Sequence, residues 1–204
     1  MATRKYEQRR RAESAADTRQ RILDAVYDQL RASPTAPLSL DHVARVAGVA
    51  RSTLYVIFGS RGGLFDAFAK DLAARSGLAQ LTEAVAHPDA REHLRQGLRA
   101  GAAMFEADLD VWRALDAMAR LDPESVGSAF EVIESGRTGG MAYLAGRLAE
   151  QDILVPDVTV DEAADVLWVL TSFESFDLLR RGRGLSFDAA VERLVRTAER
   201  SLCR

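Results

Sequence analysis

Residues 38–65 read LSLDHVARVAGVARSTLYVIFGSRGGLF, in which two short apolar patterns flank Ala47-Gly48-Val49. Ser39 is placed to cap a helix whose Leu40, Val43 and Ala44 face inward. Leu54, Ile57 and Phe58 recur at i, i+3 and i+4, which turns one face of a second helix inward as well. Two helices that cross steeply need small residues at the crossing, and Ala44 and Ala47 supply them. The turn needs a positive φ, which Gly48 adopts without the steric cost of a Cβ, and Val49 fills the space beneath it. The stretch predicts a helix-turn-helix over about residues 39–58.

The second helix keeps Arg51, Ser52, Tyr55 and Val56 outward, with Thr53 at the margin. These side chains are short or hydrogen-bonding, and a B-form major groove is wide enough to admit the helix that carries them. Downstream, Ser60 precedes a helix opening at Arg61. Backbone N–H groups at such a start, with the helix dipole behind them, receive a phosphate, and Arg61 adds a charge. The Tyr55 hydroxyl suits a second phosphate, and Ser39 joins the candidate DNA-contacting set.

Charge is distributed to match. Residues 1–61 carry 11 Lys/Arg against 6 Asp/Glu, whereas residues 62–204 carry 16 against 24. A basic head on an acidic body points to a polyanionic partner at one end. Arg9, Arg10 and Arg11 are expected to belong to a flexible basic arm over 1–13. No run reaches the roughly 18 uncharged apolar residues of a membrane span, and the N-terminal stretch lacks the apolar core of a secretory signal. Cys203 is the single cysteine, which suits a reducing cytoplasm.

Strand signals are lacking, so the chain is expected to be all-α. Ser14 is the expected cap of a first helix with Ile22, Leu23, Val26 and Leu30 as its stripe, ended by the prolines of RASPTAP at 31–37. Further helices are expected over about 62–76, 89–107, 109–121, 123–135, 138–151, 161–181 and 187–203.

The runs TRQRILDAVYDQL at 18–30 and LSLDHVARVAGVARSTLYVIFGSRGGLFDAF at 38–68 resemble the TetR family of transcriptional regulators. Ala50 departs from the pattern, standing where the family often has Ser or Thr. Val56 and Ile57 depart too, and they move base reading toward apolar contacts such as a thymine methyl. The resemblance implies a three-helix DNA-binding domain over 14–76 and a ligand-binding and dimerisation domain over 77–204. It also implies a homodimer joined through its last long helices on a palindromic operator in double-stranded DNA, with repression relieved by a small molecule.

In the acidic body, Met104, Phe105, Trp112, Met118, Phe130, Met141, Tyr143 and Trp168 are candidates to line an apolar effector cavity. Met141, Leu144, Ala145 and Leu148 share one helix face, and Ala163, Val166, Leu167, Leu170 and Phe173 share another. Both faces suit an isologous four-helix interface. Catalysis finds no support: His42, His87 and His93 have no metal-ligand spacing with Cys203, and GRTGG at 136–140 lacks the phosphate-loop pattern. The expectation is a non-enzymatic regulator that requires no cofactor. The alternative from another class is a helical sensor or carrier of small molecules without operator-specific regulation.

Overall fold

The computed structural model describes the backbone of residues 2–121, 123–126 and 128–204; the side chains of 1–12, 122, 124, 125 and 127–130 lie outside it. The described residues are helical and carry no strand, apart from one isolated antiparallel bridge between Leu154 and Cys203. The chain divides into two compact units, residues 1–71 with 110–130, and residues 72–109 with 131–204.

The first unit opens with α1 (Ala2–Ala32), α2 (Leu40–Ala47) and α3 (Arg51–Phe58). α1 packs on α2, and α2 on α3. Ile22, Leu23, Val26 and Leu30 of α1 are buried, as are Leu40, Val43, Ala44 and Ala47 of α2 and Leu54 of α3. The expected start at Ser14 is corrected, because α1 is already helical from Ala2. Ala, Arg, Glu and Gln dominate residues 2–13 and favour a continuous helix. Ser14 is interior to it, its carbonyl accepting from the Thr18 hydroxyl at 2.8 Å. The expected arm therefore has a helical backbone, and the side chains of Arg9, Arg10 and Arg11 lie outside the described residues.

α4 (Arg61–Arg75) buries Leu64, Phe65, Phe68 and Leu72. α7 (Leu109–Leu121) buries Val111, Trp112, Leu115 and Met118, and the short α8 covers Pro123–Val126.

The second unit holds α5 (Leu78–Val85), α6 (Ala90–Ala107), most of α9 (Ser128–Glu150), α10 (Val160–Leu170), α11 (Phe173–Asp177), a π-helical turn (Leu178–Gly182) and α12 (Phe187–Leu202). Its core joins Leu94 and Leu98 of α6, Leu144 and Leu148 of α9, Leu167 of α10, and Leu194 of α12. Caps set several of its helix starts. The Asp89 carboxylate accepts from the Arg91 and Glu92 N–H groups at 2.7 and 3.1 Å, and the Glu92 and Arg91 bonds hold its pKa below the usual range. Thr159 and Glu162 form a reciprocal capping box on α10.

His93 is buried on α6, where its Nδ1 accepts from Arg147 Nη1 at 3.2 Å. Burial, reinforced by Arg147 and then His87, pushes its imidazole from the usual 6.5 down to about 4.

Three helix expectations change. α5 falls where no helix was expected. The expected pair 123–135 and 138–151 is instead α8 and an unbroken α9, with the Arg137–Glu134 ion pair at 2.6 Å and the Thr138 hydroxyl on Glu134 O at 2.8 Å across the glycine-rich joint. The expected helix 161–181 is interrupted at Thr171-Ser172. There the Thr171 hydroxyl donates to Leu167 O at 2.8 Å, Ser172 caps α11, and the Ser175 hydroxyl donates to Val169 O at 2.6 Å. Short hydroxyl side chains at this point satisfy backbone groups that a continuous helix would have paired.

Part of the apolar faces expected to meet a second copy is occupied within the protomer. Leu144, Ala145, Leu148, Ala163 and Leu167 are buried in the core of their own protomer. The large apolar side chains that α10 and the π-helical turn leave at the surface are Val160, Trp168, Val169 and Leu178.

Candidate nucleic-acid interface

The helix-turn-helix is built by caps at both ends of its turn. Ser39 Oγ accepts from the His42 N–H at 3.2 Å and starts α2. Gly48, at φ 69° and ψ 36°, ends it, and the Val49 N–H reaches back to Ala44 O at 2.9 Å. That left-handed cap is the conformation glycine adopts at least cost. Ala50 has extended backbone geometry at the start of α3 but contributes no side-chain hydrogen bond. Val49, Ile57 and Phe58 are half-buried, and the Arg19 guanidinium of α1 lies over the Phe58 ring at 4.9 Å.

This framework presents the α3 face as expected. Arg51, Ser52, Tyr55 and Val56 are exposed, Val56 to 84%, while Thr53 is half-buried. Ser39 is exposed too, and its cap uses an oxygen lone pair, leaving the hydroxyl proton to donate outward.

Arg51 is engaged in a way that its position alone did not signal. Its Nη1 donates to both oxygens of Asp41 on α2, at 3.1 and 2.9 Å. Hydrogen bonding to Tyr55, one turn along α3, and then to Asp41, together with the Asp41 charge, holds the Arg51 pKa above its usual value. Nearby on α2, Arg45 Nη2 and His42 Nδ1 are 2.8 Å apart.

The second anchoring point lies at the start of α4. Ser60 Oγ accepts from the Gly63 N–H at 2.9 Å, so one of the N–H groups expected to meet a phosphate has a partner within the protein. The Arg61 guanidinium lies over the Phe65 ring at 5.9 Å, and its Nε is buried without a hydrogen-bond partner. Gly63 matters in a way the sequence reading missed. A Cβ there would sit 2.1 Å from the Phe58 carbonyl oxygen, so α3 and α4 approach this closely only over glycine. The Gly62-Gly63 pair, separated from the capping Ser60 by Arg61, was the available signal.

Within the second unit, the described effector-cavity candidates fall on different features. Phe105 lines a small cavity with Gly97, Gly101, Leu170, Thr171 and Phe176. Trp168 borders an open groove between α9 and α10 beside Glu134, Asp161 and Asp165. Arg137 stacks over Trp168 at 4.5 Å and donates to its carbonyl oxygen. Met141 is half-buried against the second unit's core, Met104 is half-buried on α6, and Tyr143 is exposed. Trp112 and Met118 are buried in α7. The Phe130 side chain lies outside the described residues.

Comparison with known proteins fits this geometry. No family model matches the chain. Over 62 residues the chain is 44% identical to the HTH-type transcriptional regulator AlkX of Mycobacterium tuberculosis, a stretch that spans 30% of this chain and 29% of that relative. Among solved structures it resembles NalD of Pseudomonas aeruginosa, the secondary repressor of the MexAB-OprM multidrug efflux pump. The TM-score is 0.72 at 25% identity, over 94% of this chain and 98% of NalD. It also resembles a TetR-family regulator from Rhodococcus sp., with a TM-score of 0.71 at 20% identity over 92% of this chain and 99% of that one.

Proposed function

From a chain that has the fold of the TetR-family transcriptional regulators, we propose a sequence-specific DNA-binding regulator that represses its target promoters. The observation that carries this reading is the α3 face. Leu54 is buried beneath it, while Arg51, Ser52, Tyr55 and Val56 stand exposed on a helix held by a glycine-closed turn. Ser52, Thr53 and Val56 read base edges, and Ser39, Tyr55, Ser60 and Arg61 fix the register on phosphates. The DNA-binding domain is 14–76, and 77–204 binds the effector and the second subunit. Among the described residues no helix is long and apolar enough to cross a membrane. We place the protein in the cytoplasm, as a homodimer on a palindromic operator.

Repression fits the role of NalD as a repressor, and regulation that of AlkX as a transcriptional regulator. Release requires an effector that binds the DNA-incompetent dimer better than the DNA-fitted one. A tenfold loss of operator affinity needs about 1.4 kcal/mol of such coupling.

Selection of bound fragments from genomic DNA tests the reading. Two recognition helices on one duplex face must fall about one helical turn apart, so a symmetric motif with that half-site spacing is expected. Its affinity should fall steeply with salt, because Arg contacts release counterions. Recovery of no symmetric motif would overturn it.

A further inference from the structure

A carboxylate on a surface that meets DNA repels phosphates, and it weakens binding to every duplex alike. Asp41 is such a carboxylate. Its side chain is 73% exposed on α2, and it reaches across the turn to Arg51 on α3. The first turn of α2 favours a carboxylate there, and the same carboxylate also fixes Arg51. Only Nη1 engages the two Asp41 oxygens, at 3.1 and 2.9 Å, so the edge of the guanidinium formed by Nη2 and Nε is not used by that pair. This edge carries two parallel donors, the arrangement that matches the O6 and N7 acceptors of guanine.

An untethered arginine on an exposed helix pairs with whichever phosphate is nearest. A tethered one keeps its carboxylate partner and leaves only its remaining edge for a target that offers two acceptors side by side. Discrimination of this kind arises by making wrong partners worse rather than the right partner better.

We propose that Asp41 is a positioning residue for base reading: it holds the Arg51 guanidinium at the α3 surface for one guanine and withholds it from phosphates. This rests on the DNA-binding reading above.

The test uses the full-length protein and duplexes carrying the motif that the wild type selects, single-base variants of that motif, and an unrelated sequence. Affinities are measured across a salt series for the wild type, Asp41→Asn, Asp41→Glu, Arg51→Ala and the Asp41→Asn/Arg51→Ala double variant. For Asp41→Asn, affinity for the unrelated duplex should rise about threefold to tenfold, with a salt slope steeper by about one per protomer as Arg51 takes up a phosphate. Discrimination at one G·C position per half-site should fall about tenfold while other positions keep theirs. Asp41→Glu, which keeps the carboxylate, should restore much of that discrimination. In the Arg51→Ala background, Asp41→Asn should no longer change it.

A purely structural Asp41 would predict a different result: the same factor of change on all duplexes, base discrimination kept at every position, and the same effect with or without Arg51. That outcome overturns the assignment. If the wild type selects no motif, the underlying DNA-binding reading falls and takes this assignment with it. If the motif is selected and Asp41→Asn retains full discrimination, this assignment alone falls.

Discussion

Arg61 lies over the Phe65 ring at 5.9 Å with its Nε buried and lacking a hydrogen-bond partner, at the start of the helix that Ser60 caps. A stacked arginine of this kind is pre-oriented, so little side-chain entropy is lost when its outer nitrogens meet a phosphate. Arg61→Ala should weaken binding to every duplex by about the same factor and make the salt slope shallower by about one per protomer. Arg61→Lys should keep the slope while losing the stacking. A salt series on specific and unrelated duplexes checks both, and a base-specific effect of Arg61→Ala would contradict a phosphate role. The residue pattern around Arg61 was legible, because Ser60 followed by a charged helix start is a local signal. The Asp41–Arg51 pair was not, since ten positions and a turn separate the two and only the crossing of α2 and α3 brings them together.

At the scale of the element, α3 is the one helix of the hairpin without a side-chain cap. Ala50 has φ −72° and ψ 148°, the extended geometry of an N-cap, and the Thr53 N–H bonds its carbonyl at 2.9 Å. Ser at this position would place an oxygen where that end of the helix lacks one. Ala50→Ser should therefore stabilise the protein by about 0.5–1 kcal/mol, within the range measured when caps are removed. Urea unfolding checks this, and an unchanged midpoint would show that the cap site is already satisfied by solvent. Helix identity was readable along most of the chain from apolar spacing. Helix ends were less so: α1 extends upstream of its expected serine cap, and α10 stops at Thr171-Ser172, where hydroxyls compete for the backbone.

On the scale of the whole molecule, the question is which apolar surfaces serve the protomer and which serve a partner. Leu144, Leu148, Ala163 and Leu167 are consumed by the protomer's own core, whereas Trp168, Val169 and Leu178 stand 42%, 52% and 68% exposed. Exposed apolar groups concentrated on one segment mark an interaction surface. If α10 and the turn after it carry the dimer contact, Val169→Glu should yield a folded monomer, because the side chain already faces solvent in the isolated protomer. Operator affinity should then fall by at least about tenfold, since each half-site is bound alone. Light scattering with circular dichroism reads both consequences. A stable dimer with the glutamate in place would move the interface elsewhere.

The all-α class, the helix-turn-helix and the outward set Arg51, Ser52, Tyr55 and Val56 are legible in the residue pattern alone. Each of these rests on interactions within a few residues: the 3.6-residue period, a serine cap, and the positive φ at Gly48. The remainder depends on how the helices pack. Whether an apolar stripe faces its own chain or a second copy depends on which helix lies opposite, as Leu144 and Leu167 show by their burial in one protomer. Whether an arginine on a DNA-facing helix is held or loose depends on a carboxylate from another helix, as Asp41 does for Arg51. Periodicity specifies a direction in space around one helix axis, but it carries no information on what occupies that direction.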